Sequence, residues 1–309
     1  MELRQLEYFI AVTESGAFSR AALRLSIGQP VLSRQIKALE QELGAELYHR
    51  TGRGIVLSEA GKRFEGYARG ILETAVSAKN DIHALGSTPT GPVVIGMPPS
   101  VGAVLTVPLV QQFRYEFPKV SLGVMEGFSG HVLDWLTTGQ IDIAILYNAP
   151  RLNTLLTDPV LTDELFLLGP ANDPAGAGSG MLSASRLSEI PLILPSRPHG
   201  LRVLIDDFLS QVGVSPNVQL EINAMPSTLS LVESGIGYTI LSYSCVHLLV
   251  AAGRIKCWQI VEPKMTRSLV VATSTQRPTT QAARALLRIV REQVQTLVKE
   301  GWWMPSVVP

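Results

Sequence analysis

Gln29-Pro30-Val31-Leu32-Ser33-Arg34-Gln35-Ile36-Lys37-Ala38-Leu39-Glu40, with Leu43-Gly44 just behind it, is the stretch on which the fold turns. Leu32, Ile36, Leu39 and Leu43 fall at i, i+4, i+7 and i+11, the stripe of a helix that buries one side. Gln29, Ser33, Arg34 and Lys37 point elsewhere. Pro30 suits the first position of that helix, because it has no N–H to leave unpaired and its φ is already set. Ser26-Ile27-Gly28 reads as the turn ahead of it. Before the turn, Ser19 reads as the N-cap of a short helix over 20–25, whose Ala21, Ala22 and Leu25 are small enough for two helices to cross closely. Further back, Leu6, Phe9 and Ile10 give a first helix its apolar face, and Ser15-Gly16 ends it. Three short helices with a tight turn before the last form a helix-turn-helix.

The polar side of that third helix carries a charge imbalance. Between Gly16 and Leu39 the only formal charges are Arg20, Arg24, Arg34 and Lys37, although the whole chain balances 26 Lys and Arg against 26 Asp and Glu. Glutamine and arginine can make bidentate contacts with adenine and guanine edges, while Ser33 and Lys37 suit phosphates. Over residues 29–37 alone, the solvated face of an ordinary basic helix reads the same way. Residues 48–57 add a hairpin whose tip, Arg50-Thr51-Gly52-Arg53-Gly54, has the shape of a wing able to push Arg53 toward a minor groove. The expected partner is double-stranded DNA, contacted by Ser19, Arg20, Gln29, Pro30, Ser33, Arg34, Lys37, Arg50 and Arg53.

A helix over 58–85 follows. Phe64, Ala68, Ile71, Ala75, Ala78, Ile82 and Leu85 step alternately by four and three residues, a heptad seam. Pairing with a second copy is the expectation, which places two half-sites on DNA. A helix packed on its own domain would show a wider stripe. Gly86-Ser87-Thr88-Pro89-Thr90-Gly91-Pro92 then marks a linker.

With 309 residues, 46% hydrophobic and 17% charged, the chain can fill two or three compact units and lacks the composition of a disordered protein. Behind the linker, strand-like runs at 93–96, 141–146, 165–168, 192–194, 219–222 and 238–241 alternate with helical stretches at 106–117, 131–138, 201–211 and 227–234. Such alternation predicts α/β layers with parallel strands, arranged as two lobes. An amphipathic helix over 281–298 precedes Trp302-Trp303-Met304-Pro305. The uncharged run from Gly91 to Phe113 is broken by Pro98, Pro99 and Pro108, so a buried strand entering a helix is expected rather than a membrane span. Glu2, Arg4, Glu7 and Glu14 interrupt any apolar export signal, and Cys245 and Cys257 give neither a disulfide framework nor metal-ligand spacing. A cytoplasmic protein with no membrane partner, metal or cofactor is expected.

The sequence resembles the LysR-type transcriptional regulators. The residues that carry the resemblance are Arg4-Gln5-Leu6-Glu7-Tyr8-Phe9, Gly16-Ala17-Phe18-Ser19-Arg20-Ala21-Ala22, Gln29 through Glu40, Leu43-Gly44, Arg50-Thr51 and Leu57-Ser58-Glu59-Ala60-Gly61. The resemblance implies an α/β multidomain chain. Its parts are a winged helix-turn-helix over 1–58, a dimerising linker helix and hinge over 59–90, and an effector-binding domain over 91–309. That last domain resembles periplasmic binding proteins, with lobe 1 at about 91–162 and 267–309 and lobe 2 at about 163–266. It also implies a homotetramer built as a dimer of dimers, a small-molecule effector, and room for RNA polymerase as a further partner. Ile193-Leu194-Pro195-Ser196 and Arg202 look most like the branch of nitrogen-assimilation control regulators. One departure is Gly28, where the family more often has Ser, which removes a hydroxyl from the start of the third helix.

In open α/β folds, ligands bind beyond the carboxyl ends of strands, where helix N-termini offer free N–H groups. Four such places carry hydroxyls, at 97–102, 127–130, 194–197 and 225–228. The expected effector residues are Ser100, Val101, Gly102, Ser129, Ser196, His199, Arg202, Met225, Ser227 and Thr228, with His199 and Arg202 supplying charge for a carboxylate. Each serine alone would serve equally as a helix cap, and Arg202 could instead brace its helix against Asp206 or Asp207. A solute-binding protein would leave residues 1–86 without a purpose. An enzyme is disfavoured, since no GxSxG, P-loop, HExxH or Cys-His constellation appears and the five histidines are scattered.

Overall fold

The computed structural model describes residues 1–51, 54–83, 89–175, 177 and 180–304. At the front, α1 (Leu3–Ser15), α2 (Phe18–Arg24) and α3 (Gln29–Leu43) precede a hairpin of β1 (Tyr48–Thr51) and β2 (Gly54–Leu57), then α4 (Glu59–His83). Gly16 ends α1 in the left-handed region at φ 62°, and its carbonyl accepts from the Ile55 N–H at 3.3 Å, which ties the hairpin to the turn. Leu6, Phe9, Val12, Ala21, Ala22, Leu32, Ile36 and Leu39 make one buried core. Ala21 and Ala22 are the small residues that let the helices close. Three local expectations are corrected. Ser19 is not an N-cap, because α2 starts two residues earlier, at Phe18, with Ala17 as its N-cap. Pro30 is the second helical residue of α3, after Gln29. Leu43 leaves the stripe and is 39% exposed.

The heptad seam on α4 divides. Ala68 is buried within the front core, and Phe64 meets Phe9 edge-on at 5.1 Å between ring centroids. Gly61 lets this part of the helix dock, because a Cβ there would lie 2.2 Å from the Leu47 carbonyl oxygen. The first part of the seam is therefore spent inside the chain, while Tyr67, Ile71 and Val76 remain exposed. The side chains of Ala78 and Ile82, and Leu85 altogether, lie outside the described residues.

The rear comprises β3 (Gly91–Met97), α5 (Pro99–Glu116), β4 (Val120–Glu126), α6 (Ser129–Thr138), β5 (Ile143–Tyr147), β6 (Leu155–Pro170), β7 (Met181–Ser183), β8 (Leu192–Leu194), α7 (Gly200–Gln211), β9 (Val218–Glu221), α8 (Met225–Glu233), β10 (Thr239–Ser242), α9 (His247–Ala251), β11 (Ile255–Val261), β12 (Thr266–Ser274) and α10 (Gln281–Lys299). The sheet order is β4-β3-β5-β12-β6-β11-β7, with β10 also on β6 and a separate β8-β9 pair. β3 runs parallel to β4 and β5. The expectation of parallel strands is only partly met, because β10, β11 and β12 all pair antiparallel with β6, and β12 does so with β5 as well. The cause is β6 itself. It is one 16-residue strand whose first part pairs with β12 in one lobe and whose last part pairs with β10 and β11 in the other. The chain crosses between lobes on β6 and returns on β12, so the return is necessarily antiparallel.

One lobe packs β3, β5, α5 and α10 around Ile95, Leu105, Phe113, Ile143, Leu286 and Val290. The other is built on Leu167, Leu182, Ile193, Ile205, Tyr238 and Trp258. The uncharged run at 91–113 is β3 entering α5, with Pro98 as N-cap and Pro99 as first residue. Among the described residues no helix is long and apolar enough to cross a membrane. Thr280 caps α10 through Oγ1, which accepts from the Ala283 N–H at 3.1 Å. After α10, Trp303 folds back and is fully buried.

Candidate functional site

On the front unit, α3 turns Leu32, Ile36 and Leu39 into the core, which leaves Gln29, Pro30, Arg34 and Lys37 exposed and Ser33 half-buried. Ser19 and Arg20 are exposed on α2 beside it. Gln35 is turned inward and accepts from Gln5 Nε2 at 3.3 Å, fixing α3 against α1. Gly28, the N-cap of α3, offers no side-chain cap; Pro30 has no N–H, and the Val31 and Leu32 N–H groups donate to the Gly28 carbonyl at 2.9 and 3.2 Å. Glu14 links the unit to α4, binding Arg24 at 2.6 Å and Arg69 at 3.1 Å, and these partners hold its carboxyl below the usual range. Arg50 lies in β1 opposite Ile55. Its side chain and the whole of Arg53 lie outside the described residues.

In the rear, four helix starts meet at one cavity of about 230 Å³ between the lobes. Pro98, Pro99 and Ser100 of α5, and Phe128, Ser129 and Gly130 of α6, line it from one lobe. His199, Gly200, Leu201 and Leu204 of α7, Asn223, Met225 and Thr228 beside and on α8, and Leu241 of β10 line it from the other. Phe128 and His199 touch across the cleft, edge to face, with centroids 4.2 Å apart. Of the expected effector residues, Ser100, Ser129, His199, Met225 and Thr228 line this cavity. Val101 is buried in the core of its lobe, and Gly102 packs against Glu126. Ser227 is exposed outside the lining, and Ser196 is one step removed, accepting from and donating to Asn223 at 2.9 and 3.1 Å. None of the four serines caps its helix. The N-cap role falls to backbone positions, and at α7 to His199, whose Nδ1 accepts from the Leu201 N–H at 3.1 Å.

Arg202 is corrected. It does not line the cavity, because its Nε binds Asp206 at 3.0 Å and its Nη1 binds Glu221 at 2.6 Å and the Pro195 carbonyl at 3.1 Å. The brace against Asp206 is what the structure shows. The guanidinium that does line the cavity belongs to Arg267 on β12, only 6% exposed. Its Nε donates to Asp163 at 2.9 Å, its Nη2 to the Ser242 hydroxyl at 2.7 Å, and it lies 3.3 Å over the Tyr147 ring. Asp163 also accepts from the Trp303 indole at 3.0 Å and from the Ser242 hydroxyl. Burial opposes the charge on Arg267, but Tyr147 and Asp163 outweigh it and hold the pKa above the ordinary value. Burial pushes the Tyr147 phenol up, and its hydroxyl, beside that of Ser100, makes no hydrogen bond of good geometry. His199 is pushed down, first by burial and then by Arg267.

Comparison with known proteins decides what this arrangement is. The family model "LysR substrate binding domain" matches residues 86–295, and "Bacterial regulatory helix-turn-helix protein, lysR family" matches residues 3–62. This chain belongs to the LysR family. It is 31% identical over 291 residues to the nitrogen assimilation regulatory protein nac of Klebsiella aerogenes, covering 94% of each chain. To the protein of that name from Escherichia coli K12 it is 30% identical, over 99% of this chain and 100% of that one. Its fold matches a full-length OxyR variant from Pseudomonas aeruginosa at TM-score 0.74 and 24% identity, covering 100% and 99% of the two chains. It also matches CbnR in complex with its target DNA at TM-score 0.67 and 23% identity, over 96% and 99%.

As a LysR-type regulator the chain is a DNA-binding transcription factor with an effector-binding domain, and not an enzyme. Burial pushes both thiols of this LysR protein, Cys245 and Cys257, up to about 12, so each is a thiol rather than a thiolate at neutral pH. Sequence reasoning missed Arg267, Tyr147, Asn223 and Phe128. Phe128 lay inside a quoted strand-to-helix junction, where an aromatic between two small residues was a usable signal. Arg267 and Tyr147 are 120 positions apart, with no spacing to connect them.

Proposed function

We propose that this regulator reads DNA through the exposed side of α3 and responds to a small molecule held in the interlobe cavity. The single observation that carries the reading is the cavity's composition from both lobes, with Phe128 and His199 in contact across it. A ligand touching both walls favours one relative orientation of the lobes, and only such differential contact can shift an equilibrium. Arg34 is the base-reading residue and Lys37 a phosphate contact; Ser19, Arg20 and Ser33 flank them, and the wing residues Arg50 and Arg53 reach the adjacent groove. The protein acts as a dimer or a dimer of dimers, with Tyr67, Ile71 and Val76 available for pairing, and it works in the cytoplasm where operator DNA and RNA polymerase are found.

The test uses a duplex selected from a random pool by the wild-type protein. Arg34→Ala is expected to lose about 1–3 kcal/mol on that duplex and much less on scrambled DNA, whereas Lys37→Ala weakens both alike and lowers the salt slope by about one. Equal affinities of wild type and Arg34→Ala on the selected duplex, read by fluorescence anisotropy, would contradict the assignment.

A further inference from the structure

We propose that the interlobe cavity is built for an uncharged, largely apolar molecule bearing a hydrogen-bond acceptor, such as an aromatic amide or ketone, and that it discriminates against carboxylates. The inference rests on the reading of this cavity as the effector site and adds the chemical class of ligand. Charge accounting carries it. Arg267 is the one cation among the described lining residues, and Asp163 is already on it at 2.9 Å, itself 1% exposed. The pair sums to zero. His199 adds no positive charge at neutral pH, since its Nδ1 accepts from the Leu201 N–H and its environment depresses protonation. The nearby guanidinium of Arg202 is committed to Asp206 and Glu221. Glu126 lines a neighbouring cavity that shares Pro99, Phe128, Asn223 and Met225 with this one, and it brings an acidic rather than a basic group close by.

A carboxylate entering this cleft would thus be desolvated with no surplus counter-charge to meet it. The starts of α5, α6, α7 and α8 border the cavity, but Pro99 and Pro226 carry no N–H there, and the Val101 and Leu201 N–H groups are already taken by the Pro98 carbonyl at 2.9 Å and His199 Nδ1 at 3.1 Å, so the N–H groups left over favour a single acceptor oxygen rather than a full anionic charge. Donors, in contrast, stand ready. The Tyr147 hydroxyl is buried beside the Ser100 hydroxyl and makes no hydrogen bond of good geometry, and the hydrogen bonds of Arg267 engage two of its five N–H groups. An unpaired buried donor is costly, so a ligand oxygen placed here gains both the bond and relief of that cost. Phe128, Leu204, Ile222 and Leu241 wall the remaining space with apolar surface.

Ligand-observed NMR titrations of the full-length protein with benzamide, acetophenone and benzoate test this at one shared ring size. The two neutral probes are expected to bind at least tenfold more tightly than benzoate. Asp163→Asn, which uncovers the charge on Arg267, is expected to narrow that ratio at least fivefold by strengthening benzoate. If Asp163→Asn does not fold, the ratio in the wild type alone decides. Leu204→Trp and Gly130→Phe, used where their thermal midpoints match the wild type, are expected to abolish binding of all three. Benzoate binding as tightly as benzamide, and lost in both filled variants, overturns the ligand class while leaving the cavity reading in place. Absence of saturable binding by any probe, or binding that survives both filled variants, overturns the cavity reading itself.

Discussion

Asp163 holds three partners at once. Arg267 and the Trp303 indole donate to its two oxygens at 2.9 and 3.0 Å, and the Ser242 hydroxyl adds a third bond. Trp303 follows α10, Arg267 is the second residue of the return strand and Ser242 ends β10, so one buried carboxylate fixes segments far apart in sequence. Trp303→Phe keeps the ring and removes the indole donor. It is expected to cost about 1–3 kcal/mol by leaving a charged oxygen short of a partner, measured by urea unfolding, with Trp303→Ala costing about 3–5 kcal/mol. His199 gives a pH prediction. Its folded pKa lies below the unfolded value, so between the two the unfolded state binds more protons than the native one. Stability from this group is complete above about pH 6.5 and declines as pH falls toward the folded pKa, where protonated Nδ1 also ceases to accept from Leu201. His199→Asn is expected to flatten the fall of the melting midpoint as pH drops below about 6.5; an unchanged slope would contradict this. At this scale the sequence is least informative. Arg202 drew notice because it stood beside a strand end, yet Asp206 four residues on was the stronger signal. Arg267 acquires its role only when β12 is laid against β6.

Helices were the most readable elements. The stripe Leu32, Ile36, Leu39 is local information, and it correctly set which side of α3 faces outward. The short strands β8 and β10 were marked by apolar runs and β9 by the alternation Val218-Gln219-Leu220-Glu221, whereas β11 and β12 carry Lys256, Gln259, Arg267 and Ser268 within them and show no clean period. Their identity as strands comes from pairing with β6, which is tertiary information. The seam on α4 shows the opposite failure, a clean period with two destinations. Ala68 goes to the core of its own unit and Ile71, 37% exposed, does not. The two substitutions should therefore separate. Ile71→Asp is expected to lower the oligomeric state in light scattering with little loss of thermal stability of the front unit, while Ala68→Asp, burying an unpaired charge, is expected to unfold it. The same effect from both would remove Ile71 from the pairing surface.

At the scale of the whole molecule, the proposed regulation requires a cavity in the rear half to command a DNA-reading helix in the front half. The two are joined by α4, which also touches α6 of the effector domain: a Cβ on Gly70 would lie 2.6 Å from the Thr138 carbonyl oxygen. Any change in lobe orientation that moves α6 therefore bears on the element carrying the front unit. Such coupling is typically worth about 1–3 kcal/mol, or 5- to 150-fold in affinity. The most direct measurement is the affinity of full-length wild type and of Leu204→Trp, whose cavity is filled in place of a ligand, for the same selected duplex by fluorescence anisotropy. A change of at least fivefold in affinity is expected in Leu204→Trp, with Arg34→Ala weakening binding in both backgrounds. Identical affinities of a folded Leu204→Trp and the wild type would contradict it.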